Sequence, residues 1–585
     1  MGGRFLAAGL VAVALALALA LPAMSGTRAE EGPAVSATAA PRPSSGASQP
    51  PADTQAATPS AQSSSGNAAQ PDKAAEPPTN TAAATPGAEP EPSTPSSASA
   101  PAPDAAAAPP SVAAETPADP IIAAIRAKLA DPAIRKGVAS DDLAALQSFY
   151  AERTGSPLWI TGMGFSARAQ SVITEIEKAD DWGLSSDAFD LPPAADLPAN
   201  VEAQASDEVK LDIAILKYAR FARGGRLSPS RISDLIDQKA DLRAPKTVLA
   251  EIGAAPAPDA YLRSLHPKHA QFERLRQALL KARARGKNAN PAYVQRIIIN
   301  MERWRWMPAD LGAYYVQDNI PEFVGRVVKN GKVVYATKVV VGLPKYATPI
   351  FSADMRSIVF NPDWTVPETI VMEDLTPALK ADNGPDLSIL RDHELNVSLQ
   401  GKPVDPAQVD WGRANVMSYT FTQPPGPDNV LGKLKFNFPN RHAIYMHDTI
   451  QPEVFDETVR MASHGCIRVF QPAKLATFLL AEDKGWSEQQ VRDMLATGDN
   501  SVITLSRKFP VHLTYFTLTV DEKGKPQSFA DVYGLDAKIA SALFGKGARL
   551  DDLEADAGSA GGRSRSAWNS GRGGLTDAIN GLFGN

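Results

Sequence analysis

The residues best suited to chemistry lie at positions 462–469, around Cys466, the single cysteine among 585 residues. His464 precedes this cysteine by two positions, with Gly465 between them, and His447 lies 19 positions upstream. A free thiol is mostly protonated near pH 7, so a cysteine nucleophile needs a base within hydrogen-bond reach, and histidine is the usual base. The segment therefore indicates nucleophilic catalysis by a thiol.

The spacing of His464 and Cys466 has a geometric consequence if residues 464–466 are extended. Alternate residues of a strand face the same side, so the two Cα atoms would lie about 6.5 Å apart on one face. Gly465 would leave room for a substrate carbonyl, because it has no side chain. Its N–H and that of Cys466 are candidate donors to an oxyanion.

A strand upstream of the cysteine is expected to carry the second histidine. Residues 441–446 have the alternation of a strand, which places Ala443, Tyr445 and His447 on one face. A strand end can bring His447 beside Cys466 from across a sheet. The two side chains are thus expected to meet at the end of this strand.

Two other interpretations of the cysteine remain open. A lone cysteine is often a small buried hydrophobic residue. However, an exported chain with one cysteine can form no internal disulfide, and a free thiol outside the cytoplasm is unusual. The thiol could also join His442, His447 and His464 in a zinc site, although the spacing of these residues fits no common zinc pattern.

The cysteine block resembles a known catalytic signature. Ser463-His464-Gly465-Cys466, with His447 upstream, is similar to the motif of L,D-transpeptidases with a YkuD-type catalytic domain. Further segments resemble the larger periplasmic, YcbB-like subfamily, so that the resemblance covers roughly residues 120–545. These segments are 339–344 (VVVGLP), 348–351 (TPIF), 360–367 (FNPDWTVP) and 429–436 (NVLGKLKF).

The resemblance implies roles for the residues of the block. Cys466 would be the nucleophile and His447 the general base, while His464 would support the base or shape the pocket. Ser463 would orient a histidine through a hydrogen bond, or else only pack within its strand. Gly465 would contribute its N–H to the oxyanion site.

Three further residues are candidates for substrate contacts. Tyr445 could line the donor pocket or be an ordinary half-buried strand tyrosine. Arg468 could bind a stem-peptide carboxylate in bidentate fashion, or pair with an internal acid. Trp364 could be a ligand platform, although a tryptophan is more often part of a core.

The activity that the resemblance implies is acyl transfer on peptidoglycan. A tetrapeptide stem would acylate Cys466, and a second stem would accept the acyl group in a 3→3 cross-link, with no metal, nucleotide or other cofactor. Carbapenems are expected to acylate the same thiol, and proteins of cell-wall synthesis are expected partners. Hydrolysis by the same Cys-His pair, as a carboxypeptidase or endopeptidase, and a non-catalytic wall-binding scaffold are the alternatives.

The chain as a whole predicts an α+β protein with unstructured ends. Its net charge of −6 and pI of about 5.8 argue against nucleic acid as a partner. The expected regions are a signal peptide (1–29), a disordered Pro/Ala/Ser-rich linker (30–119), a helical scaffold domain (120–290), a mostly-β catalytic domain (291–545) with an inserted capping subdomain (about 368–437), and a disordered tail (546–585).

The apolar start of the chain predicts export, and the resemblance to the periplasmic subfamily implies the periplasm of a Gram-negative bacterium as the destination. The run from Phe5 to Leu21 follows Arg4 and is short for a membrane span of about 20 residues, which favours a cleaved signal peptide. The alternative is an uncleaved N-terminus that anchors the protein in the inner membrane.

Hydrophobic periodicity predicts the elements that hold the candidate site. Helical spacing is expected at 201–221, 294–306, 370–381, 472–481 and 487–497, the last with a capping box formed by Ser487 and Gln490. Strand patterns occur at 313–320, 322–329, 332–341, 357–361, 501–506 and 511–520. Asn330-Gly331 predicts a hairpin between two of these strands.

Overall fold

The computed structural model describes residues 119–162, 164–193 and 200–545. The predicted signal peptide (1–29), the predicted linker up to residue 118 and the predicted tail (546–585) lie outside these residues. Within the described part of the chain, no helix is both long enough and apolar enough to cross a membrane.

The first half of the described chain is helical, as predicted. The longest helix begins after Asn200, whose side chain accepts a hydrogen bond from Ala203 N and so caps the first turn. A small two-stranded hairpin, β1 (Ile160–Thr161) and β2 (Gly164–Phe165), interrupts the helices. The helices are α1 (Pro120–Ala130), α2 (Ser140–Glu152), α3 (Ala167–Glu177), α4 (Val201–Gly224), α5 (Pro229–Ile232), α6 (Pro245–Ala254), α7 (Pro258–Ser264), α8 (Ala270–Arg283) and α9 (Pro291–Trp306).

Strands begin after the last of these helices. Asn330 and Gly331 have φ angles of 49° and 74°, so the hairpin predicted from this Asn-Gly pair is confirmed. The fourth strand starts five residues earlier than the predicted 357–361. These strands are β3 (Tyr314–Asn319), β4 (Val324–Lys329), β5 (Lys332–Gly342) and β6 (Ser352–Phe360).

One carboxylate inside this sheet has no partner. Asp318, on β3, has no exposed surface, and neither of its carboxylate oxygens has a hydrogen-bond partner among the described residues. A side chain at the facing Gly325 would collide with Oδ1, so the glycine makes room for the acid. Burial raises the pKa of Asp318 to about 7, although Arg326 acts in the opposite direction.

The chain then leaves the sheet and forms a cap. It consists of β7 (Trp364–Thr365), α10 (Glu368–Ile370), a π-helical turn (Val371–Leu375), α11 (Thr376–Leu379), α12 (Ser388–Asp392), β8 (Asn396–Leu399), β9 (Lys402–Pro403) and β10 (Tyr419–Gln423). The strands form an antiparallel sheet in the order β7-β10-β8-β9. The sequence analysis predicted no strand in this segment, because these strands, of two to five residues, are too short for a readable alternation.

The remaining elements complete the main sheet. The first of them, β11, pairs with β6. Residues 434–437 therefore belong to the main sheet, whereas the prediction placed them in the cap. The predicted capping box of Ser487 and Gln490 is confirmed at α14. The elements are β11 (Leu434–Asn437), β12 (Met446–His447), β13 (Met461–Ser463), β14 (Ile467–Val469), α13 (Pro472–Lys484), α14 (Glu488–Ala496), β15 (Ser501–Thr514), β16 (Leu518–Val520), β17 (Pro526–Ser528) and α15 (Leu535–Phe544).

The main sheet closes on itself. Its strand order is β13-β5-β14-β12-β11-β6-β15-β3-β4, and β4 also pairs with β5. Most pairs are antiparallel, but β12 and β14 run parallel, as do β15 with β3 and β13 with β5. The parallel pair of β12 and β14 carries the residues that the sequence singled out.

An extended segment of the helical half of the molecule contacts the main sheet and the loop before β12. Ile236 forms a parallel bridge with Ile350, and Asp237 N donates to Ile350 O at 2.8 Å. The Asp237 carboxylate then lies 2.7 Å from Arg441 Nε and 3.0 Å from His442 Nε2. The segment thus holds the loop that precedes β12.

Candidate active site

The two residues that the sequence pairs as nucleophile and base lie on neighbouring strands. His447 is the parallel partner of Arg468, and Ile467 N donates to Tyr445 O at 3.1 Å, which places Tyr445 beside Cys466. In-register residues of adjacent strands face the same side. The side chains of Tyr445, His447, Cys466 and Arg468 therefore share one face of the sheet. On that face His447 lies two residues further along its strand than Tyr445, the neighbour of Cys466.

The opposite face fixes this register. Met446, Ile467 and Phe436 alternate with the site residues along their strands and have no exposed surface, because they pack in the core of the main sheet. A slip of one residue would turn these three side chains toward the site and the site residues into the core of the main sheet. The core therefore determines which side chains face the candidate site.

The loop before β12 differs from the predicted strand at 441–446. Only Met446–His447 is paired as a strand. The Asn440 side chain bonds the backbone at both ends of the turn, accepting from His442 N and Ile444 N and donating to Ile444 O. Ala443, in the left-handed region at φ 54°, therefore does not continue the alternation, and its carbonyl lies 4.0 Å from Cys466 Sγ.

Residues 464–466 form a turn, so the condition of an extended segment, under which His464 and Cys466 would face the same side, is not met. Gly465 has a φ of 110°, which side chains rarely tolerate. The Ser463 hydroxyl accepts from Gly465 N at 3.2 Å and donates to Cys466 O at 2.6 Å. Ser463 thus stabilises its own turn and not a histidine, and the Gly465 N–H is engaged, which leaves the Cys466 N–H as the better oxyanion donor.

Burial keeps the candidate pair uncharged. Burial, with Arg468 and Lys435 as smaller causes, lowers the pKa of His447 to about 3. Burial also raises the pKa of the Cys466 thiol. The imidazole is therefore a neutral base throughout the physiological pH range. The thiol needs this base in order to lose its proton. His447 Nδ1 has no hydrogen-bond partner within the described chain.

His464 is held by the loop after β5 and by the cap. Its ring stacks on Tyr346 at a centroid distance of 4.0 Å and an interplanar angle of 27°. The Tyr346 hydroxyl donates to Glu373 of the cap, which also pairs with Lys345 at 2.7 Å. Neither ring nitrogen of His464 has a hydrogen-bond partner in the described structure, so this residue shapes the pocket by packing.

The three residues proposed for substrate contact occupy different environments. Trp364 is 3% exposed and belongs to the core of the cap, which corresponds to the core interpretation. Burial raises the pKa of Tyr445 well above its ordinary value, and the nearby Cys466 acts in the same direction. Arg468 is 3% exposed and donates to Gln451 Oε1 at 2.8 Å, with no carboxylate within ion-pair distance in the described residues.

Lys435 is a site residue that the sequence analysis missed. It lies opposite His447 in the pairing of β11 and β12, and its ammonium group is 4.2 Å from the centroid of the Tyr445 ring. Burial lowers its pKa, while the nearby Cys466 raises it. The only available signal was its place in the segment 429–436, which resembles the subfamily.

Replacing Lys435 by methionine should raise the pKa of Cys466, because the cation that stabilises the thiolate is lost. We also expect a fall of about tenfold in acylation by a carbapenem at pH 7, because the negative charge that develops on the sulfur as His447 removes the proton loses a cation worth roughly one unit of thiol pKa. The rate of alkylation by iodoacetamide as a function of pH measures the thiol pKa directly. Lys433→Met, at an exposed position two residues away, is the control; equal profiles for the two variants would contradict the role of Lys435.

A metal is not part of the described arrangement. No group of three or more histidine, cysteine, aspartate or glutamate side chains in the described residues is placed to hold a metal ion. The candidate zinc ligand His442 bonds Asp237. The chemistry of the face is therefore that of a thiol, an imidazole and two cations.

Comparison with known proteins agrees with this geometry. Residues 144–279 match the Scaffold domain family, and residues 313–492 match the L,D-transpeptidase catalytic domain of the YkuD family. A Haemophilus influenzae protein provisionally named an L,D-transpeptidase is 33% identical over 247 residues, which are 42% of this chain and 49% of that protein. The chain thus spans about half the length of the curated relative it matches.

The fold and the site agree with these two matches. The chain has a helical region that matches the Scaffold domain family, followed by a mostly-β domain that matches the L,D-transpeptidase catalytic domain of the YkuD family.

Proposed function

We propose that the protein forms 3→3 cross-links between peptidoglycan stem peptides through a thioester on Cys466. The observation that carries the proposal is the shared sheet face of Cys466 and His447, inside the domain that matches the YkuD family. The donor would be a tetrapeptide stem whose third residue is a diaminopimelate. The cations Lys435 and Arg468 beside the thiol suit a substrate that carries carboxylates.

The reaction would proceed in two transfers. His447 takes the thiol proton while the sulfur attacks the carbonyl of the third residue, and the Cys466 N–H stabilises the oxyanion. The terminal D-alanine leaves as an amine with the proton from His447, and a thioester remains. A side-chain amine of a second stem then attacks the thioester, loses its proton to His447 and releases the thiol. If water took the place of this amine, the product would be a shortened stem.

The test is product analysis with purified disaccharide-tetrapeptide. The expected products are a dimer joined between the two third residues and free D-alanine in equal amounts, both absent with Cys466→Ala. Tripeptide without dimer would favour hydrolysis. Full complementation of a deletion strain by Cys466→Ala would support the non-catalytic scaffold.

We further propose that the protein acts in the periplasm, exported by residues 1–29, which cell fractionation tests. We also propose that carbapenems acylate Cys466, which intact-protein mass spectrometry tests.

A further inference from the structure

The peptide bond between Gly465 and Cys466 needs an anchor outside its own turn. Glycine has no side chain that restricts its dihedral angles, so the peptide that follows it can rotate easily. The Ser463 hydroxyl holds Gly465 N and Cys466 O, but not the carbonyl of Gly465. This carbonyl belongs to the same planar unit as the Cys466 N–H.

That anchor is Thr348, in the loop between β5 and β6. Thr348 has no exposed surface, and its hydroxyl donates to Gly465 O at 2.8 Å while it accepts from Gly342 N at 2.9 Å. The carbonyl and the N–H of a trans peptide point in opposite directions. A carbonyl held by Thr348 thus directs the Cys466 N–H away from this loop.

Thr348 is in turn held by the C-terminal part of the domain. The Tyr533 hydroxyl accepts from Thr348 N at 3.2 Å and donates to Gly342 O at 2.7 Å. Space around Gly342 is already filled, since a Cβ at this position would collide with Tyr346 O. The threonine is therefore fixed on both sides, as an anchor must be.

We propose that Thr348 is a positioning residue that orients the Cys466 N–H toward the oxyanion formed when the Cys466 sulfur attacks a carbonyl. The inference rests on the proposed acyl transfer and adds to it a residue that does not touch substrate. It also gives a function to the segment 348–351, which the sequence analysis singled out.

The test compares two reactions of the same thiol. Acylation by a carbapenem passes through an oxyanion, whereas alkylation by iodoacetamide displaces iodide without one. In Thr348→Val, which keeps the shape but loses the hydroxyl, we expect acylation to slow about 10-fold to 100-fold, somewhat less than the loss of a complete oxyanion donor. Alkylation should stay within about twofold, because this variant retains His447 and Lys435. Thr348→Ser should restore acylation.

Controls separate the possible outcomes. Thr514→Val removes another buried hydroxyl that donates to a backbone carbonyl, that of Asp318, and should change neither rate. If Thr348→Val does not fold, Tyr533→Phe provides the same comparison with a smaller expected loss. Equal slowing of both reactions, or unchanged acylation, would overturn the role of Thr348. If the wild-type protein takes up no carbapenem while iodoacetamide still reacts, the proposed acyl transfer fails as well.

Discussion

Replacing His447 by glutamine should slow the acylation of Cys466 by a carbapenem by about 10²–10⁴-fold at pH 7, the usual contribution of a general base. The thiol has a raised pKa and therefore does not ionise by itself in this range. His447 shares a sheet face with it and is uncharged, so it is the group that can remove the proton. Acylation is measured by intact-protein mass spectrometry at timed intervals.

The pH dependence of the same reaction gives a second, sharper result. Because burial lowers the pKa of His447 to about 3, the wild-type rate should be level from about pH 5 to pH 8, with no loss near the ordinary histidine pKa of about 6.5. In His447→Gln, only thiolate formed by solvent can react, so the rate should rise about tenfold per pH unit.

The matched control is His464→Gln, which makes the same substitution at the other histidine near the thiol, two positions before it in the sequence. Its ring packs on Tyr346 without a hydrogen-bond partner in the described structure, so we expect a smaller loss and a level pH profile. Two results would show that His447 is not the general base. One is a wild-type rate that falls below pH 6.5, and the other is a rate that rises tenfold per pH unit in His464→Gln and not in His447→Gln.

Replacing Asp318 by asparagine should stabilise the protein at pH 8 by about 2–4 kcal/mol, while stability at pH 4.5 changes little. The pKa of Asp318 is raised to about 7 in the folded protein, against about 3.9 in an unfolded chain. Between these values the folded state binds a proton that the unfolded state does not. Stability from this group is therefore complete below about pH 4 and is lost as the pH rises to 7.

Urea denaturation of both proteins at pH 4.5 and pH 8 measures this effect, since every other titrating group is common to the two. Asp382→Asn, at an exposed position, should have the same free energy of unfolding as the wild type at both pH values. An Asp318→Asn variant that is destabilised at pH 8 would mean that the carboxylate has a partner that outweighs its desolvation.

Local patterns in the sequence were sufficient for part of the fold and site. The Asn330-Gly331 hairpin and the Ser487 capping box depend on neighbouring residues only, and both are confirmed. The sequence also placed Tyr445 and His447 on one face, because they are two residues apart in extended backbone. The strand predicted at 441–446 was wrong over most of its length, because the Asn440 side chain accepts hydrogen bonds from backbone N–H groups that a strand would need.

The rest depends on contacts between residues far apart in the chain. Lys435 lies opposite His447 through the register of β11 and β12. The Thr348 hydroxyl donates a hydrogen bond to the carbonyl of Gly465, which is 117 positions away in the sequence. Asp237 reaches His442 from the helical half of the molecule. No local periodicity encodes such pairings, so these residues become visible only when the sheet is assembled.

The parallel pairing of β12 and β14 has a consequence for recognising related chains. Parallel neighbours cannot be joined by a tight turn, so a long connection must carry the chain back from His447 to Cys466. The 19 positions between them therefore measure a connection that includes β13, and not the distance at which the two groups react. Insertions or deletions at the exposed residues 456–459 of this connection would leave the paired strands in place, and a search that fixes the interval would overlook such proteins.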